Sequence, residues 1–443
     1  MSSDLKLQLD KGEDSTGEAD FPQEKKESAG QTGMWDSLRN RDYRYLWVGN
    51  LCSSFAMNMQ MVARGWLVYA MTSSPAKLAW VTISFMLPQV LFALFGGVLA
   101  DRFTKKKIIA IAQTMNCAAT LIMAYIIFSG SVAFIDFLVF GFFNGTVLAL
   151  SMPARTSYIP ELVGENLLFN AMALSTTSMN LSRILGPAVA GILIAILASG
   201  DTTSTFGVGV VYFVIAALYF LSACTITFVS VQGSPIRRST QHPLKDIKDG
   251  LDYVRGYRLL TGLILLSIIP FLFGMGISSL MPAFNEEVIH GGPDDLGMLM
   301  GFMGAGAILG SLLLARMSEV GRKGRLLLII IIFWSVSIMV FSMTDSLLVS
   351  IAVVSLVGFF SSLFMAMNRG LIQLVSSQEM RGRVMSIDLM AHGLMPLGIL
   401  PVSYIAELYG VEWGILCSGL MLAVCGGFLM YVFPQLRAID RGN

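Results

Sequence analysis

The chain has 443 residues, 55% of them hydrophobic and only 13% charged, with 30 basic against 29 acidic side chains and a net charge of +1. A soluble globule carries about a quarter charged residues, so a water-facing surface cannot be built from this composition and a lipid-facing one can. The near-neutral balance also removes the basic surface that nucleic-acid binding needs.

The first 33 residues are polar, with eight acidic and four lysine side chains. They lack the basic stretch and apolar core of a secretory signal and are expected to form a disordered cytoplasmic tail. Apolar runs follow at 45–70, 77–100, 107–128, 133–154, 168–198, 206–231, 258–283, 295–316, 324–343, 347–369, 385–408 and 411–433. Each can cross roughly 30 Å of hydrocarbon as a helix. Helix is expected because it satisfies its own backbone groups in lipid; barrel strands would be shorter and alternating.

Lys and Arg set the orientation. With the N-terminus inside, the inner loops hold Arg102, Lys105, Lys106, Lys107, Arg155, Arg237, Arg238, Lys245, Lys248, Arg316, Arg322, Lys323, Arg325, Arg381 and Arg383, and the outer loops hold Lys77. The outer loops carry Asp201, Glu286, Glu287, Asp294, Asp295 and Asp345 instead. The alternation predicts an even number of spans and two inner termini. The fold class is therefore an all-α membrane protein of twelve helices, placed in a plasma (inner) membrane.

The chain repeats itself at an offset of about 214 residues. Leu99-Ala100-Asp101-Arg102 after the second run answers Leu314-Ala315-Arg316 after the eighth, and a second pair of matching segments begins at Gly164 and Gln378. The expected organisation is a polar tail and lead-in at 1–42, a six-helix bundle at 43–231, a cytoplasmic linker at 232–257, a second bundle at 258–435 and a tail at 436–443. An amphipathic helix is expected at 244–255. Two related six-helix halves with a site between them form a transporter architecture.

The sharpest local signal is Gly97-Val98-Leu99-Ala100-Asp101-Arg102-Phe103-Thr104-Lys105-Lys106-Lys107. A tight inner loop explains it: Gly97 permits close approach of the other half, Asp101 caps a helix or accepts a hydrogen bond across the halves, and the basic run meets anionic headgroups. The segment resembles the Gly-x-x-x-Asp-Arg-x-Gly-Arg-Arg/Lys signature of the major facilitator superfamily, with Thr104 in place of the second glycine. The likeness extends over 40–435 and is strongest to the enterobactin-exporter branch, the transmembrane secretion effectors. It is carried by Leu46-Trp47-Val48-Gly49-Asn50, the stretch from Met59 to Tyr69, Pro153-Ala154-Arg155, Pro160-Glu161-Leu162-Val163, Asn180 to Pro187, and Glu379 to Ser386.

That resemblance implies a transmembrane transporter that exports siderophores, drugs or metabolites by alternating access, with proton antiport. An importer of a small metabolite on the same fold, or a membrane sensor that no longer transports, are the alternatives. The expected partners are a small-molecule substrate, anionic or amphipathic, protons as coupling ion, and the lipid bilayer; nucleic acid is not expected, and the chain is expected to act as a monomer.

In the fifth run, Ser182, Gly186, Pro187 and Gly191 resemble an antiporter motif. Small residues allow close helix packing, and Pro187 removes an intrahelical hydrogen bond and bends the helix. Charges inside spans are functional hypotheses by default. Arg64 and Arg183 would face the cavity and attract an anion, or would tie helices together through backbone carbonyls, the reading that suits Arg64 better. Asp136 and Glu407, near outer helix ends, are expected to be solvated. Asp388 and His392 lie one helical turn apart and are candidates for proton coupling, as is Asp101. The resemblance assigns cavity lining to the first, fourth, seventh and tenth spans. The residues expected there are Asn50, Asn58, Gln60, Arg64, Phe143, Asn144, Arg183, Phe271, Ser278, Phe360, Ser361 and Asn368. Met57, Met59 and Met61 suit a promiscuous apolar pocket.

The sequence has no Gly-x-x-x-x-Gly-Lys-Ser/Thr loop for nucleotide phosphates and no His-Glu-x-x-His pair. His242, His290 and His392 are its three histidines. Neither a cofactor, a metal nor an enzymatic activity is expected. The five cysteines, all in apolar runs, read as packing residues.

Overall fold

The computed structural model describes residues 36–198, 205–233, 243–316, 323–377 and 380–437. Most of the expected N-terminal tail, Asp201, Arg237, Arg238 and Arg322, and the residues from 438 onward lie outside the described residues. The described residues are helical throughout, without a strand.

The first half comprises α1 (Arg41–Thr72), α2 (Pro75–Arg102), α3 (Lys105–Phe128), α4 (Phe134–Gly164), α5 (Asn166–Leu197) and α6 (Thr205–Thr227). The linker helix α7 (Pro243–Gly256) matches the expected amphipathic helix. The second half comprises α8 (Arg258–Glu287), α9 (Pro293–Arg316), α10 (Lys323–Phe341), α11 (Leu347–Val375), α12 (Arg381–Met390), α13 (Met395–Tyr409) and α14 (Val411–Val432).

Ten of these rods are long and apolar enough to cross a membrane. Two further segments are of membrane length. The 32-residue α1 carries Arg64 and a polar first turn. Helices α12 and α13 share one segment, broken by a 3-10 turn at Ala391–Leu394. The break falls where Pro396, in the first turn of α13, has no N–H to continue the helix. Together they make twelve segments.

The ends of the rods follow from local chemistry. Asn40 starts α1: its side-chain oxygen accepts from the backbone N–H groups of Asp42 and Tyr43 at 3.0 and 3.1 Å. Gly164, at φ 69°, separates α4 from α5 with a conformation that side-chain-bearing residues avoid. Helix α4 runs well past the expected end at 154, so Arg155 is not a loop residue. It lies inside α4, and its Nη1 donates to Asn50 Oδ1 (3.2 Å) and Ser53 Oγ (3.0 Å) on α1. Counting loop charges misses a helix that continues beyond the apolar run.

The basic loop between α2 and α3 is also rearranged relative to expectation. Lys105 does not meet headgroups. It is fully buried, pairs with Glu161 of α4 and donates to the carbonyl of Ser157 at 3.3 Å. Lys106 holds the end of α6, donating to the carbonyls of Thr227 (3.0 Å) and Val229 (2.6 Å), the favourable place for a cation on a helix. Arg102 and Lys107 stay exposed. A Cβ on Gly97 would meet nothing within 4 Å; the close approach belongs to Gly96, whose Cβ would lie 2.3 Å from the Ala149 carbonyl oxygen on α4.

The outer surface of the bundle is apolar: Ile122, Val139, Phe220 and Phe428 are each more than 60% exposed. Water would penalise such a belt and lipid does not, so association between helices rests on close packing and internal hydrogen bonds. The loops divide the molecule into a basic face, bearing Arg102, Lys107, Arg381 and Arg383, and an acidic face, bearing Glu286, Glu287, Asp294 and Asp345.

The two halves meet along two helix pairs. On α5 and α9, a Cβ at Gly191 would lie 2.3 Å from the Pro293 carbonyl oxygen, and one at Gly297 would lie 2.7 Å from the Pro187 carbonyl oxygen. At mid-depth Gly304 rests on the Arg183 carbonyl. On α2 and the α12–α13 segment, contact runs from Ala76 and Glu407 at the acidic face to Val90 and Gly393 at mid-depth. Hydrogen bonds reinforce the acidic side: Tyr69 donates to Glu287, and Glu407 accepts from Ser74 Oγ at 2.6 Å and Ala76 N at 3.0 Å. Glu407 is thus exposed and also a bridge between halves. Asp136 is half-buried and accepts from Ala133 N at 2.8 Å.

Candidate functional site

Between the halves, at mid-depth, lies a cavity. It is lined by Asn58 and Met61 of α1, Arg183 and Pro187 of α5, Gly274, Met275, Ile277 and Ser278 of α8, Met300, Met303, Gly304 and Ala307 of α9, Trp334 of α10, and Val357, Gly358 and Ser361 of α11. Four thioethers and an indole make its walls adaptable and apolar, and a few polar groups interrupt them.

Arg183 is the charged group on this wall. It stands about 26 Å along α5 from the basic end, near the middle of that 32-residue helix. Its side chain is exposed to the cavity and has no ion-pair partner among the described residues. Next to it on the chain, Ser182 is fully buried and bonds back to the Ser178 carbonyl at 2.9 Å. Gly186 brings α5 against α1, since a Cβ there would lie 2.7 Å from Asn58 Cβ. The motif residues Ser182, Gly186, Pro187 and Gly191 therefore position Arg183 by packing α5 simultaneously on α1 and α9.

Helix α8 reaches the cavity through an irregularity. Pro270–Gly274 forms one π-helical turn, in which Met275 N donates to the Pro270 carbonyl at 2.8 Å. Pro270 has no N–H, so the normal ladder cannot continue there, and π turns are frequent at functional positions. Ser418 of α14 donates to the Phe273 carbonyl and secures the turn.

Of the twelve residues expected in the cavity, Asn58, Arg183, Ser278 and Ser361 line it. The other eight do not. Gln60 and Asn144 are buried inside the first half. Asn50 accepts from Arg155, and Arg64 lies over the Phe85 ring at 5.5 Å. Phe143 is half-buried on α4, and Phe271 is buried within the π turn. Phe360 stacks on Phe333 of α10 at 5.5 Å. Asn368 donates to the Leu263 carbonyl at 3.2 Å and ties α11 to α8. Alternation around a helix explains these placements: polar residues in a lining helix also point inward to hold the bundle. The larger residues not anticipated are Met275 of α8, beside the π turn, and Met300, Met303 and Trp334, whose helices α9 and α10 were not among the expected lining spans.

A second polar cluster lies in the second half. Asp388 is 1% exposed; it accepts from Ser267 Oγ on α8 and from Arg369 Nε on α11 at 3.3 Å. One carboxylate thus holds α8, α11 and α12 together. The side chains of His392 and Asp101 lie outside the described residues.

Comparison with known proteins agrees with this architecture. The profile of the family described as transmembrane secretion effector matches residues 32–442. The chain is 23% identical to the staphyloferrin A transporter of Staphylococcus aureus over 83% of this chain and 88% of that protein. It is 22% identical to macrolide efflux protein A of Streptococcus pyogenes, covering 89% and 96%, and 24% identical to the multidrug efflux pump Tap of Mycolicibacterium fortuitum, covering 86% and 92%. Among solved structures, the inward-facing, occupied bacterial homologue of the human lysosomal transporter Spinster superposes with TM-score 0.71 at 14% identity, covering 90% of this chain and 98% of that one. The inward-open xylose transporter XylE of E. coli superposes with TM-score 0.67 at 13% identity, covering 90% and 96%. With the fold and the family in agreement, this chain is a multi-pass transporter, not an enzyme, and belongs to the transmembrane secretion effector family within the major facilitator transporters.

Proposed function

We propose that the protein exports small organic anions or amphipathic molecules by alternating access, in exchange for protons, from the compartment at its basic face to that at its acidic face. The observation that carries this reading is the mid-depth cavity with Arg183 on its wall, closed toward the acidic face by the α5–α9 crossing and the Tyr69–Glu287 and Glu407 bridges. The positive-inside rule supports a cytoplasmic basic face, with both termini there and the protein in the plasma membrane as a monomer of two six-helix bundles joined at 232–257. The efflux named for two of its relatives supports the direction, and the staphyloferrin A named for a third supports a small organic substrate.

An unpaired guanidinium in low dielectric attracts a carboxylate, catecholate or phosphate more strongly than it would in water. Arg183→Gln is therefore expected to lower carboxyfluorescein flux in proteoliposomes by about ten- to a hundredfold relative to ethidium flux, the worth of one charge-assisted hydrogen bond. Equal loss for both dyes would remove the recognition role.

Proton coupling is assigned to Asp388. Its protonation would release Arg369 and Ser267 and free α11 and α12 to move relative to α8. Helix α7 bears on the same element: Arg383 Nη1 donates to Asp249 Oδ2 at 3.4 Å, and Tyr253 OH accepts from Ser377 N at 3.2 Å. Asp388→Asn is expected to retain substrate exchange between equal compartments and to lose acceleration by a pH gradient. Normal gradient-driven flux in that variant would exclude Asp388 and leave Asp101 as the next carboxylate to test.

A further inference from the structure

Trp334 is fully buried, lines the cavity, and its indole Nε1 has no acceptor among the described residues. A buried donor left without a partner costs about 1–3 kcal/mol, so native structures rarely tolerate one without reason. The position of the ring supplies the reason. Trp334 belongs to α10, which reaches the cavity with this one side chain, and it does so beside the π turn of α8. A Cβ on Gly274 would lie 2.6 Å from Trp334 Cζ2, 2.7 Å from Cη2 and 3.3 Å from Cε2. Those carbons form the six-membered edge of the indole, and Cε2 is the one bonded to the nitrogen. The absence of a side chain at Gly274, within a turn already widened by Pro270, is what admits the ring against α8 beside the cavity.

Resting on the export reading above, we propose that Trp334 is a specificity-determining residue. Its N–H donates to an acceptor oxygen of the transported molecule while Arg183 holds the anionic group. The substrate class this fits carries an anionic group and a separate oxygen acceptor on an apolar or aromatic frame. The ring of Trp334 also packs against Phe364 at a centroid distance of 5.9 Å, which fixes its orientation before the ligand arrives. A preorganised donor discriminates more strongly against a ligand lacking the acceptor than apolar walls can, because the unfilled site leaves the donor unpaired.

The test uses the full chain in lipid nanodiscs with 15N-labelled indoles. Trp334→Phe identifies the Trp334 indole resonance by its loss. Titration of the wild-type protein with carboxyfluorescein is expected to move that proton downfield and to saturate, as a new hydrogen bond requires. In proteoliposomes, Trp334→Phe is expected to raise KM for carboxyfluorescein by about tenfold relative to KM for ethidium, with a smaller change in kcat. Gly274→Ala, which displaces the ring without removing it, is expected to act in the same direction. A resonance that does not move on titration, or an equal change for the two dyes, overturns the assignment. Wild-type carboxyfluorescein flux with an unmoved indole refutes Trp334 alone. A wild-type protein whose indole moves but which carries no dye supports the Trp334 contact and refutes the export reading instead.

Discussion

Gly191→Leu is expected to stall transport with the acidic face open. At this position a Cβ would lie 2.3 Å from the Pro293 carbonyl oxygen and 3.0 Å from Gly297 Cα, so the obstacle is backbone and cannot rotate aside. The strain falls only on the state in which α5 and α9 touch. Overpacking of about 1–3 kcal/mol shifts a two-state balance by about 5–150-fold. Distances between spin labels across the acidic face should lengthen, and turnover should fall by at least about tenfold while each half stays folded. Gly427→Leu serves as the control, since a Cβ at that position meets nothing within 4 Å. Unchanged distances in Gly191→Leu would mean that this crossing does not set the closed state.

Lys105→Met is expected to produce the largest loss of stability. The lysine is completely buried, and its removal leaves Glu161 facing the space it vacated. Breaking a buried pair from one side costs about 3–5 kcal/mol; the 28% exposure of Glu161 favours the lower end. Thermal unfolding in detergent should show the drop for Lys105→Met and for Glu161→Gln alike. The double variant should recover most of it, because neither charge is then stranded. Losses that simply add would show that the two side chains act independently.

The helical stack was legible from apolar runs because a bilayer imposes one length and one backbone solution. The alternation of basic and acidic loops between the two faces was legible too, and so was the amphipathic linker helix. What escaped was decided by contacts between segments. Arg155 looked like a loop residue until α4 was seen to continue to Gly164. Lys105 and Lys106 fit a headgroup-binding pattern, yet one is consumed by Glu161 and the other by the end of α6. Gln60, Asn144 and Asn368 lie on helices expected to line the cavity but turn inward, a matter of rotation that polarity alone does not encode. Trp334 depended on a π turn in a different helix, and no pattern around Trp334 itself announces that turn.

The central claim is outward exchange of an organic anion for protons through the cavity at Arg183. Its most direct test is uptake of carboxyfluorescein into proteoliposomes whose lumen faces the acidic side of the protein, assayed by lysing the collected vesicles at fixed pH. With an acidified lumen, the dye should accumulate above its external concentration, and accumulation should collapse when the gradient is dissipated or when Arg183 is replaced by glutamine. Dye movement in the opposite direction, or accumulation that ignores the gradient, would contradict the account.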